Sequence, residues 1–437
     1  MNIISVVLQL IASLSILVLV HEFGHFLFAK IFKVRAEKFY LFFNPWFSLF
    51  KFKPKNSDTE YGIGWLPFGG YVKIAGMIDE SMDREQMSKP PQPWEFRSKP
   101  AWQRLFIMIA GVVFNFLLAI AIYAGILFHW GEEYIPIQSV TTGMEFSQTA
   151  KNIGFQDGDI LLSADGVHLE RFGESAFRQI IEAEEIKVLR GTDTVTVIVP
   201  GDFMNRLLQD KQGFANYRIP FVIKSVLKDS PAEKAGLMSG DSVIACNGSA
   251  AFLSDCIAAF ASHKEQPLLL TVVRQGEQKE ITITPDDKGK VGVYMKTLGD
   301  FYPVHKVTYR FFEAVPAGIQ KGIGKLTGYV NDMKYVFTKE GAQSIGGFGM
   351  IASLFPVPFD AQAFWEITAL LSVILAFMNI LPIPALDGGH MLFVLYEIIT
   401  RRKPSRRFME TAQIIGMVFL FSLLVYANLN DLFRMLF

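Results

Sequence analysis

The sequence predicts a polytopic α-helical membrane protein with four transmembrane helices, a membrane-associated β-hairpin region after the first helix, and a duplicated compact α+β domain between the second and third. Three observations carry this. Four apolar runs, at about 3–28, 105–128, 367–383 and 414–429, approach or exceed the roughly 20 residues a helix needs to cross a bilayer. Basic residues cluster after the first run, from Lys30 to Lys55, and between the last two, from Arg401 to Arg407. A Gly-Asp pattern recurs in the long stretch between runs two and three at a constant offset of 82 residues, Gly158 to Gly240.

Composition agrees with this class. The chain has 437 residues, 51% hydrophobic, with a formal net charge of +0, which suits membrane spans carrying soluble parts and leaves no basic footprint for nucleic acid. The two cysteines, Cys246 and Cys256, fit no CxxC metal pattern. Their spacing alone does not say whether they pair.

Between Leu10 and Leu27 the only ionisable residues are His21, Glu22 and His25. An ionised side chain at that depth costs roughly 2.5–3.5 kcal/mol on insertion scales, so all three point to function. On a helix, positions 21 and 25 share a face one turn apart. Their imidazoles can hold one metal ion while Glu22 reaches a water beside it. A solvated helix face is the bland alternative, and the flanking Ile-Leu-Val-Leu-Val and Phe-Leu-Phe disfavour it. A cleaved signal peptide would need a basic leader and a small-residue cleavage site, and neither is present.

The expected organisation follows the chain. Residues 1–35 hold the first span, and 36–76 form an aromatic, glycine-punctuated β region that is either re-entrant beside the metal or a hairpin on the membrane surface. Residues 77–104 read as a polar cytoplasmic connector and 105–129 as the second span. Gly154 to Gly166 matches Gly236 to Gly248, and each copy runs on into a helical stretch and a strand with a basic turn. A repeat of this length marks two compact domains, 130–220 and 221–302. Their short strands and Gly-Asp turns resemble PDZ domains, which bind extended peptide termini by strand addition, although two spacers without an open groove would show the same pattern. Residues 303–363 are helical and amphipathic from Lys306, through Val307, Phe311, Val315, Ile319, Ile323 and Leu326. The third span and its Asp-Gly-Gly motif occupy 364–398, a basic cytoplasmic loop 399–410, and the fourth span 411–437. By the charge asymmetry, both termini and the repeated domains lie outside the cytoplasm.

The third span ends in Asn379-Ile-Leu-Pro-Ile-Pro-Ala-Leu-Asp387-Gly-Gly-His390, where two prolines break the helix and a carboxylate follows. Catalytic zinc usually takes three protein ligands and leaves one position open. Asp387 is the candidate third ligand and His390 its rival.

Four motifs together resemble the site-2 protease family: His21-Glu22-Phe23-Gly24-His25, Phe68-Gly69-Gly70-Tyr71-Val72, Gly111 with Asn115, and Asn379 through Pro382, Pro384 and Asp387-Gly388-Gly389. The tandem PDZ-like α+β domains resemble its bacterial members of RseP type. Val112 departs from the proline that the family often carries there. The resemblance implies an intramembrane protease with one Zn2+ held by His21, His25 and Asp387, and Glu22 as the base. It further implies Asn115 at the oxyanion, and Asn379 with Gly69, Gly70 and Tyr71 on the substrate. The implied partners are single-span transmembrane substrates such as anti-sigma factors and signal-peptide remnants, membrane lipids, and peptide termini at the PDZ-like domains. The implied location is the bacterial inner membrane, with termini and repeats in the periplasm. A catalytically silent PDZ scaffold and a metal-binding transporter are the alternatives.

Overall fold

The computed structural model describes residues 3–77, 90–209 and 213–436, with Phe68, Glu340 and Ser344 described by their backbone only. The chain forms two compact units, one of Met1–Gly131 with Thr308–Phe437, the other of Glu132–Val307.

In the first unit, helix α1 spans Ile3–Ile31 and buries Val6, Gln9, Ser13, Leu17, His21 and His25, a stripe recurring every three or four residues. Its other faces expose Ile4, Leu8 and Leu19. This inverts the pattern of a water-soluble helix and suits a lipid surround, where a helix satisfies its own backbone. Strands β1 (Ala36–Phe52) and β2 (Glu60–Ile74) then form a folded sheet in which β1 is flanked by β2 on both sides: Tyr40 pairs with Tyr71 and also with Gly62. A Cβ at Gly70 would stand 2.8 Å from Val18 Cγ1, so β2 lies directly against α1 about one turn before His21.

Residues 78–89 of the expected connector fall outside the described residues. From Pro90 to Pro100 the segment is mostly exposed, and it is anchored at Glu95 and Phe96. Trp94 O accepts the Arg35 N–H at 3.0 Å, Phe96 N–H donates to Ala75 O at 2.8 Å, and the Phe96 ring joins Ala29, Val34, Ile74, Ile107 and Met108 in the core. Helix α2 (Ala101–His129) follows, with Pro100 at its N-cap.

The second unit runs through β3 (Glu132–Tyr134), β4 (Met144–Phe146), α3 (Gln148–Asn152), β5 (Ile160–Ala164), β6 (Val167–His168), α4 (Glu174–Glu182), β7 (Glu185–Arg190), β8 (Asp193–Ile198), α5 (Phe203–Gln209) and β9 (Ala215–Tyr217). It continues with β10 (Phe221–Val226), α6 (Pro231–Lys234), β11 (Ser242–Cys246), β12 (Ser249–Ala250), α7 (Leu253–Ser262), β13 (Leu268–Arg274), β14 (Glu277–Ile283), β15 (Val293–Met295) and β16 (His305–Val307). The first repeat has the order β6-β5-β7-β8 beside the pair β4-β9, and the second has β14-β13-β11-β10-β15. Each repeat has its own hydrophobic core, one around Phe155 and Phe214, the other around Phe221 and Phe260. Cys246 and Cys256 are free, buried thiols in the second core, with sulfurs 3.4 Å apart.

The sequence repeat is also a repeat of interactions. Asp159 and Asp241, 1% and 0% exposed, each meet an arginine from the end of a neighbouring strand: Arg190 Nη2 at 2.7 Å and Arg274 Nη2 at 2.7 Å. The same guanidinium nitrogens donate to Gly154 O and Gly236 O, and the carboxylates accept the backbone N–H of Gln156 and Met238. A buried carboxylate needs this number of donors to offset lost hydration.

The helical expectation from Lys306 is corrected at its start. Lys306 and Val307 belong to β16, paired with β3, and Lys306 Nζ stands 2.6 Å from Glu133. The helix α8 begins only at Phe311 and ends at Val336, where Glu313 accepts the Arg310 N–H at 2.8 Å and so sets the first turn. A Cβ at Gly318 would lie 2.7 Å from Ala124 N, so α8 packs closely on α2. Then come α9 (Lys339–Ser344), α10 (Phe348–Ser353), α11 (Ala361–Ile380), α12 (Asp387–Thr400) and α13 (Arg406–Leu436). Asp431 of α13 accepts the N–H of Gly347 and of Met350, both at 2.9 Å. Helices α1, α2, α11 and α13 are long and apolar enough to cross a membrane.

The Asp241–Arg274 pair gives a stability test. Burial opposes ionisation of Asp241, yet the Arg274 guanidinium and the Met238 N–H hold its carboxyl below the usual carboxylate range. Its contribution is therefore full above the unfolded value of about 3.9 and is lost as pH falls from there through the lower folded-state value. Asp241→Asn should destabilise the second repeat at pH 7 by on the order of 3 kcal/mol, because Arg274 then loses its charge partner. Hydrogen exchange of β11 and β13 amides in the full chain should show the loss at pH 7, and the difference should shrink as pH falls below about 3.9.

Candidate metal centre

Three elements converge on one point. The α1 stripe places His21 and His25 on its buried face, 8% and 6% exposed. The turn after α11 places Asp387 at the first residue of α12. Asp387 Oδ2 stands 3.1 Å from His21 Nε2 and 3.2 Å from His25 Nε2, and the two Nε2 atoms are themselves 3.2 Å apart. Two ligands each about 2.0–2.1 Å from zinc, at a tetrahedral angle, lie roughly 3.3 Å apart, so the spacing suits zinc.

The proton arrangement supports the same conclusion. His25 Nδ1 donates to Ile107 O at 2.8 Å, which fixes the proton on that nitrogen and leaves the Nε2 lone pair facing the carboxylate. Despite its short distances to both imidazoles, Asp387 Oδ2 makes no properly directed hydrogen bond and is buried. Electron pairs that face one another without a proton between them call for a cation. Among the described residues, the one grouping of three or more histidine, cysteine and acidic side chains able to hold a metal is His21, His25 and Asp387. His390, the rival third ligand, instead lines the cavity beyond the cluster.

Helix α2 closes the far side, and glycine permits its approach. A Cβ at Gly111 would lie 2.5 Å from His25 Nε2 and 2.7 Å from His21 Cε1, and one at Gly24 would lie 2.7 Å from Ala110 O. One turn beyond Gly111, the Asn115 amide stands 3.2 Å from His21 Nδ1 and is fully buried. The structure thus packs the Asn115 amide against the His21 imidazole, and Asn115 is not among the residues that line the open cavity. Ser372 of α11 donates to Asn115 O at 2.7 Å and ties three helices together at this level.

The open side is a cavity of about 500 Å³ lined by Glu22, the β2 segment from Gly70 to Ile74, Met108 and the turn at Ala385–Asp387. Of the expected substrate residues, Gly70 and Tyr71 line it. Gly69, at φ +145° against the Phe43 ring, and Asn379, half-buried at the end of α11, do not. Sequence reasoning missed Ile107 O, Lys38, Phe43, Lys73 and Gln413. A backbone carbonyl leaves no mark in a sequence, but Gln413 is a polar residue at the head of an apolar run.

The comparisons agree with this chemistry. The model of peptidase family M50 matches residues 9–423. The chain is similar to the regulator of sigma-E protease RseP of Escherichia coli, 30% identical across 97% of this chain and 98% of that one. It is similar also to the regulator of sigma E protease of Haemophilus influenzae, at 29% over 97% and 98%. A Vibrio cholerae protein bearing a zinc metalloprotease name is 29% identical over the same shares. The chain belongs to peptidase family M50 and is a membrane-embedded zinc metalloprotease.

Proposed function

We propose that His21, His25 and Asp387 hold one zinc ion and that Glu22 is the general base in cleavage of single-span membrane proteins within the bilayer. The observation that carries this is the 3.1–3.2 Å convergence of two imidazole nitrogens and an undonated carboxylate oxygen beside Glu22. Bound zinc supplies Lewis acidity, polarising a peptide carbonyl and acidifying water. Glu22 takes the proton of the attacking water and returns it to the leaving amine. A helical substrate hides its carbonyls in i to i−4 bonds, so it must unwind to react. The Gly70–Ile74 segment beside Glu22 offers extended backbone for the unwound strand, with Gly70 and Tyr71 as its contacts. Asn115 supports the oxyanion as a neutral amide donor, and its contact with His21 also steadies that imidazole. Gly69, the residue before Gly70 in β2, and Asn379 meet the substrate outside the cavity.

The basic clusters after α1 and before α13 support a cytoplasmic side for those loops, and with it a periplasmic side of the bacterial inner membrane for the termini and the Glu132–Val307 unit. The named sigma-E role of the relatives supports anti-sigma factors as substrates, with signal-peptide remnants as a second class. The two repeats are PDZ-like domains that receive peptide termini or filter substrates by size.

Glu22→Gln in the purified chain should keep its zinc while cleavage of a model transmembrane peptide falls by roughly 10²–10⁴-fold; cleavage at the normal rate removes Glu22 as base. Asp387→Ala should lower zinc content measured by elemental analysis, and unchanged content moves the third-ligand role to another residue, His390 first.

A further inference from the structure

We infer that Gln413, on α13 and outside every motif, is a positioning residue for the metal centre: it holds the turn at Ala385 that aims Asp387 at His21 and His25. The inference rests on Asp387 being a zinc ligand.

Asp387 is delivered by the short turn between α11 and α12, and that turn is strained at one residue. Ala385 has φ +85°, a conformation that residues with a side chain rarely adopt. Such a residue keeps that conformation only where its surroundings over-determine it. The surroundings come from two sides. On the α12 side, a Cβ at Gly388 would lie 2.0 Å from Leu381 O and one at Gly389 2.6 Å from Pro384 Cα, so the turn is pressed onto the start of the helix. On the α13 side, a Cβ at Gly416 would lie 1.7 Å from Pro384 O. One turn earlier on the same face, Gln413 is 3% exposed and its Oε1 accepts the Ala385 N–H at 3.3 Å. That N–H sits in a turn with no helical partner for it, so Gln413 both satisfies the donor and fixes the peptide plane two residues before Asp387. Gln413 is thus the polar hold of α13 on the turn, and Gly416 is the steric seat that lets it reach.

The test is zinc affinity of the purified full-length chain in detergent, measured by competition with a chromophoric chelator, with folding checked by thermal midpoint. Gln413→Met keeps the volume and removes the acceptor, and it should weaken zinc binding about tenfold or more, the usual cost of losing an outer-shell partner. Adding Ala385→Gly to that variant should restore most of the affinity, because glycine holds positive φ without help. A merely structural role for Gln413 would not be rescued at Ala385. Should Gln413→Met fail to fold, Gln413→Asn, shorter by one methylene, makes the same test. Zinc binding within about twofold of the parent, well short of that outer-shell cost, or no rescue by Ala385→Gly, overturns the inference. Asp387→Asn separates the two levels. If it binds zinc like the parent, the ligand assignment fails. If it loses zinc while Gln413→Met does not, only the role of Gln413 fails.

Discussion

Two imidazole nitrogens and a carboxylate oxygen face one another at 3.1–3.2 Å, on helices whose outer surfaces are apolar, and the first unit is built to keep them there. Without a cation, such an arrangement in a low-dielectric surround repels itself. The backbone is therefore brought close from every side. Gly24 and Gly111 let α2 press on the imidazoles, Gly388 and Gly389 let the turn before α12 fold tightly, and Gly416 seats α13 on that turn. A methyl group at any of these positions meets another atom at less than contact distance.

The remaining contacts among the spans follow from the weakness of the hydrophobic effect between helices in lipid. Buried hydroxyls and amides take over part of the joining. Thr368 of α11 donates to Ser13 of α1 at 3.0 Å, and Ser372 reaches the Asn115 carbonyl. Gln9 donates to Pro356 O at 3.0 Å. The Glu132–Val307 unit obeys the opposite rule. Its two cores are apolar, and its buried charges are neutralised twice in the same way, through Asp159 with Arg190 and Asp241 with Arg274.

Much of this was legible in the sequence because it depends on local pattern. The apolar runs mark four helices, and the 82-residue offset foretells two domains whose buried Asp–Arg networks coincide. His21, Glu22 and His25 stand out because nothing else between Leu10 and Leu27 is ionisable. What was not legible depends on partners distant in the chain. Asn428 and Asp431, polar residues at the far end of α13, cap α10, a partner that nothing near them in the chain announces. Lys306 alternates like a helix residue but is claimed by Glu133, far away in sequence. Asn115 matched a motif, yet only the fold shows that its amide packs against His21. Gln413 matched none.

X-ray absorption at the zinc edge of the purified full-length chain interrogates the metal centre itself. A zinc ion held by His21, His25 and Asp387 predicts a nitrogen and oxygen shell near 2.0–2.1 Å with the outer scattering of two imidazoles. A sulfur shell near 2.3 Å, which would place the metal at Cys246 and Cys256, or an absence of imidazole scattering, would contradict it.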